Sequence, residues 1–252
     1  MERRNWLGRS WYGVQGEEVT TVTVHDFVPY TEEDFVPIIL HCDTMPRRWE
    51  WFWPQYVAST PETIVANSIV VYHNRFGLPL NIPPDVQAVQ DIAKLVVLDR
   101  EGASIVWPFL EGLKNTKGRI VARIANDVEI IRPDWVEAAL QEYNQEPRLK
   151  ILASVAGPGP TYQVALPVCY APWLHKLLHY GNYTDMNYIH GSVIIANRAI
   201  WLAYYADLML DYTIHGGEDV FFTLFSRADG VEVVPFGYCF RHRGFSNQDK
   251  IV

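Results

Sequence analysis

This sequence predicts an α/β fold, a mostly parallel, Rossmann-like sheet flanked by helices, with a smaller C-terminal lobe. Two observations carry the prediction. Short apolar runs alternate with helix-like segments from Val36 to Tyr143, the pattern of βαβ units with right-handed crossovers. The runs also end alike, on polar or ionisable side chains: His41-Cys42-Asp43, His73-Asn74, Asp99-Arg100 and Asn126-Asp127. Ligands of open α/β sheets bind beyond the carboxyl ends of the strands. Four such ends in succession predict one polar crevice along one sheet edge.

The elements follow in chain order. Residues 19–25 alternate and are β-branched, which predicts an early strand. "VPIILH", 36–41, is a continuous apolar run, as a buried parallel strand requires. The aromatic-rich segment 45–59 reads as a helix, and Thr60-Pro61-Glu62 as a second helix start. "SIVVYHN" (68–74) and "AKLVVLD" (93–99) are further buried strands. Residues 103–118 form a helix with an early proline and a glycine stop, and 119–125 a fourth strand. Asp134 is placed to cap the helix "WVEAALQEY", with Glu137 as in a capping box. Residues 151–190 are rich in Gly, Pro and aromatics. Residues 191–208 read as a strand and a helix, 214–230 as a glycine loop and a helix, and 231–237 as the last strand, before a polar tail. With no repeat or linker, residues 1–252 are one domain in two halves, about 35–135 and 136–245.

Composition narrows the function. The apolar share of 49% and charged share of 20% are those of a globular protein. A net charge of -8 argues against a nucleic-acid polymer as partner, though not against a small nucleotide. The charged first residues contain no apolar leader, and the uncharged stretch from Ile151 to Leu174 holds four prolines, which argues against a membrane helix. Cys42, Cys169 and Cys239 form no CxxC pair and read as reduced thiols of a cytoplasmic protein.

Four segments, in this order, resemble the GT-A nucleotide-sugar glycosyltransferases, especially the inverting family-2 type. "IILHCDTMPRR" resembles the first strand and turn over the nucleotide. "SIVVYHN" resembles the second strand, which ends near the base. "GRIVARIANDVEIIRPDW" resembles the metal-site strand. "GGEDVFFTLFSRADGVEVV" resembles the late segment that holds the catalytic base. The resemblance spans roughly residues 35–245 and implies transfer of a hexosyl or deoxyhexosyl group from a nucleotide sugar to a glycan or other hydroxyl acceptor, assisted by Mn2+ or Mg2+. One departure stands out: the family's paired aspartates flank one residue, whereas Ala125-Asn126-Asp127 lacks the first acid.

The resemblance implies roles residue by residue. Asp127 is the expected metal ligand, since Mg2+ and Mn2+ take oxygen ligands and share them with substrate phosphates. Asn126 is a candidate partner of the donor sugar or ribose. Asp219 is the expected general base, with Glu218 orienting it or the acceptor. Late His242 is a second candidate metal ligand or a diphosphate donor, and Arg241 and Arg243 beside it can neutralise phosphate. Asp43, Asn74, Asp99 and Arg100 are candidates for the nucleotide pocket on strand-end position alone. Trp173, Tyr180, Tyr183 and Tyr188 are candidates for an acceptor surface. The aromatics of "WEWFW", 49–53, read as packing instead.

Two other functions compete. A sugar nucleotidyltransferase expects a glycine-rich basic loop after the first strand, and "HCDTMPRR" has the basic residues without the glycine. A non-catalytic nucleotide-sugar-binding domain would explain the missing acid but not the intact Gly-Gly-Glu-Asp segment.

Overall fold

The structure, a computed structural model, describes residues 27–42, 46–77, 79–102, 105–146, 148–156, 188–208, 222, 226 and 230–243. The expected strand at 19–25, the Gly-Gly-Glu-Asp segment with Glu218 and Asp219, Asp43, and Trp173, Tyr180 and Tyr183 lie outside those residues.

The chain runs β1 (Phe35–Cys42), α1 (Pro46–Ala58), α2 (Glu62–Asn67), β2 (Ile69–Asn74), α3 (Pro84–Gln87), β3 (Lys94–Asp99), α4 (Val106–Lys114), β4 (Ile120–Ala125), β5 (Val128–Ile130), α5 (Trp135–Gln145), β6 (Lys150–Ala156), β7 (Tyr188–Asn197), α6 (Arg198–Leu208), β8 (Glu232–Pro235) and β9 (Phe240–His242). Seven strands among the described residues form one sheet in the order β3-β2-β1-β4-β7-β6-β8. β1 pairs in parallel with β2 and β4, and β2 with β3. β7 enters antiparallel between β4 and β6. The four parallel strands therefore end on one edge, as the sequence predicts.

Alternation along each strand sorts the core into two faces. Phe35 and Ile39, Val70 and Tyr72, and Ile120, Ala122 and Ile124 face α1, α2 and α5. Val36, Ile38 and Leu40, with Val71 and Val121, face α4 and α6. On α1, Trp49, Phe52 and Tyr56 recur at helical spacing and are fully buried, so this aromatic run does pack the core. α4 lies close on the sheet because Gly112 faces Ile38 and Val71: a Cβ there would meet Ile38 Cγ2 at 2.6 Å.

Three local readings change. The third strand is a partly exposed edge strand, not a buried one, because β3 has a neighbour on one side only. Asp134 stands at the N-cap of α5 but makes no side-chain cap bond; its carboxylate binds Arg132. The tail after the last expected strand contains β9, which pairs antiparallel with β5 and returns the chain to the end of β4.

Candidate functional site at the carboxyl edge of the sheet

Two groups of side chains occupy the carboxyl edge. The first closes β2 and β3. Asn74 and Asp99 are register partners, and Asn74 Nδ2 donates to Asp99 Oδ1 over 2.8 Å. His73 Nε2 lies 2.8 Å from the Arg100 carbonyl. The Arg100 guanidinium does not pair with Asp99; it stacks over Trp107, 3.6 Å from the ring centre.

The second group sits where β4 turns into β5. Asn126 is buried and donates from Nδ2 to His41 Nδ1 over 2.8 Å. His41 stacks on Trp49, and burial pushes its pKa down to about 3, so the ring is neutral and carries its proton on Nε2. Asp127 points differently. Its Oδ2 accepts from Arg48 Nη1 at 3.1 Å and lies 3.4 Å from His242 Nε2. Its Oδ1 is buried and finds no hydrogen-bond donor among the described residues. The Asp127 carboxylate holds the His242 pKa above its usual value, against partial desolvation and the nearby Arg48 charge.

The framework behind this cluster is continuous. α1 follows β1, so its first turn, with Arg48, lies at the carboxyl edge. Gln55 of α1 clamps β5: Nε2 donates to the Val128 carbonyl at 2.9 Å, and Oε1 accepts from the Ile130 N–H at 3.0 Å. β9 then delivers His242 opposite Val128, and the Arg243 N–H donates to the Asp127 carbonyl at 2.8 Å. Arg243 stacks over Trp51. Arg241 lies opposite Glu129 and reaches its carboxylate at 3.5 Å, so Glu129 turns to Arg241 within the small sheet. Arg48 and Gln55 were not singled out by sequence reasoning. The available signal was the basic pair in "MPRR" straight after the first strand.

The cluster fits a divalent cation poorly. Asp127 Oδ1 is a spare oxygen and His242 a possible nitrogen ligand, but Arg48 already holds the other oxygen. Among the described residues no three His, Cys, Asp or Glu side chains come together to hold a metal.

No protein-family model and no curated protein matches the sequence. Solved structures do match in shape. Glucosyl-3-phosphoglycerate synthase from Mycobacterium tuberculosis, in complex with Mn2+, UDP-glucose and phosphoglyceric acid, aligns with TM-score 0.53 at 16% identity, over 85% of this chain and 73% of that one. Its complex with Mn2+, UDP-glucose and glycerol 3-phosphate gives TM-score 0.51 at 16% identity, over 85% and 74%. A crystal structure described as a mycobacterial protein gives TM-score 0.55 at 16% identity, over 85% and 69%. The fold is GT-A. This agrees with the resemblance read from the four sequence segments, and at this identity the likeness speaks for the fold alone. Among the described residues no helix is long and apolar enough to cross a membrane.

Proposed function

We propose that the protein is a glycosyltransferase that moves a sugar from a nucleoside diphosphate donor to an acceptor hydroxyl with inversion at the anomeric carbon. The observation that carries this reading is the pairing of two polar groups on one sheet edge, Asn74 with Asp99 and Arg48 with Asp127 and His242. β2 and β4 flank β1, so the two groups are separated by two strand spacings, roughly 10 Å. That suits a nucleotide lying across β1, base towards Asn74 and Asp99 and diphosphate towards Arg48. Residues 35–135 then hold the donor and 136–245 the acceptor and base.

In the reaction the acceptor oxygen forms a bond to the anomeric carbon as the bond from that carbon to the diphosphate oxygen breaks. The electron pair leaves with the nucleoside diphosphate, and the hydroxyl proton passes to Asp219, with Glu218 orienting it. The cluster at Asp127 meets the charge that develops on the leaving group. A sugar nucleotidyltransferase is the weaker alternative, since the turn after β1 carries no glycine.

The test is release of nucleoside diphosphate from a panel of nucleotide sugars, with candidate acceptors. Asp219→Asn is expected to lower transfer by roughly 100-fold or more and to leave donor affinity unchanged. A variant that keeps full activity removes Asp219 as the base. A panel in which no nucleotide sugar is turned over or bound removes the reading.

A further inference from the structure

We infer that Arg48 is the cation that receives the leaving diphosphate, so that this protein binds its donor and transfers the sugar without a divalent metal. The inference rests on the glycosyl-transfer reading and concerns what neutralises the charge within it.

The charges at the end of β4 decide the matter. Asp127 is the carboxylate offered there, and its Oδ2 is held by Arg48 at 3.1 Å. Ala125 stands where the first acid of the expected pair would be, and the amide of Asn126 is spent on His41 inside the core. Glu129 is turned to Arg241. His242 shares the same Asp127 oxygen, and Arg243 follows it. A dication would add two positive charges to a site where, among the described residues, one carboxylate already balances an arginine. A diphosphate meets the opposite balance: among the described residues a guanidinium and an imidazole share one acid, and Arg243 follows, stacked over Trp51.

Geometry agrees with the charge count. Arg48 belongs to the first turn of α1, a helix of 13 residues that starts at the carboxyl edge of β1. The positive end of the α1 helix dipole favours the same anion. The side chains of Arg48 and Asp127 are only 13% and 18% exposed, so their charges are weakly screened. The planar guanidinium can keep one N–H on Asp127 and present others to phosphate oxygens. Asp127 is then a positioning residue that aims Arg48. As the bond between the anomeric carbon and the diphosphate oxygen breaks, the electron pair comes to rest on an oxygen beside that guanidinium.

The experiment is calorimetric titration of the full chain, freed of metal with EDTA, with UDP, GDP, ADP, CDP and dTDP, then again with Mn2+ added. One of these is expected to bind in EDTA, and Mn2+ to change its affinity by less than about threefold. Arg48→Gln keeps a donor for Asp127 and removes the charge; it should weaken binding roughly ten- to hundredfold. Arg48→Lys keeps the charge but not the fork and should weaken binding roughly three- to tenfold, which decides the matter if the glutamine variant does not fold. Equal affinity of the folded variants and the parent overturns the inference. So does parent binding that appears only with Mn2+, and that result leaves the glycosyl-transfer reading standing. Absence of binding in every arm overturns the reading and the inference together.

Discussion

Asn126 and Asp127 are neighbours with opposite commitments. Asn126 is buried at 6% exposure and donates to a neutral His41, while Asp127 turns to Arg48 and His242. Placing a second acid beside Asp127 with Asn126→Asp sets a carboxylate against the His41 Nδ1 lone pair. The core must then either bury an unpaired charge or protonate a histidine whose burial disfavours it. The expected cost is about 2 kcal/mol, a fall in melting temperature of roughly 4–8 °C, with no gain in Mn2+ affinity. Thermal unfolding and metal titration check this; a variant as stable as the parent that binds Mn2+ contradicts it. Asp127 was legible in the sequence because it closes an apolar run. Its partner was not: Arg48 lies 79 residues earlier, and only the parallel pairing of β1 with β4 brings the two strand ends together.

The elements divide in the same way. β1, β2 and β4 are apolar runs of six to eight residues, long enough for pattern and length to name them. β5 and β9 have three residues each, too few to show a period, and they pair across more than a hundred positions. β6 begins at Lys150, a polar start that hides a buried strand: the amine reaches the Glu142 carbonyl at 2.6 Å. Gly112 shows how a sequence propensity can mislead. Replacing a helical glycine by alanine ordinarily stabilises by about 1 kcal/mol. Here the added Cβ meets Ile38 Cγ2 at 2.6 Å and Val71 Cγ2 at 3.1 Å, and overpacking of this kind costs roughly 1–3 kcal/mol. Gly112→Ala is therefore expected to lower the melting temperature by roughly 2–12 °C, and a rise would mean that α4 can lift from the sheet without loss.

At the scale of the whole molecule, His41 links folding to pH. Its folded pKa of about 3 lies below the 6.5 of an ordinary histidine. Between those values the unfolded chain binds a proton that the native protein refuses, so stability falls as pH drops through that window. From pH 7 to pH 5 this one group should remove about 2 kcal/mol. Urea unfolding at both pH values should show that His41→Gln loses correspondingly less than the parent, and identical losses would contradict the assignment. His41 also ties function to fold: the ring that packs against Trp49 of α1 fixes the residue before Asp127.

In the proposed complex a nucleotide sugar lies across the end of β1 between two polar groups. Crystals soaked with each of several nucleoside diphosphates, with and without Mn2+, test it most directly. The expected result is a diphosphate within hydrogen-bond distance of Arg48 and a base beside Asn74 and Asp99. A nucleotide bound away from that edge, or none bound at all, would contradict it.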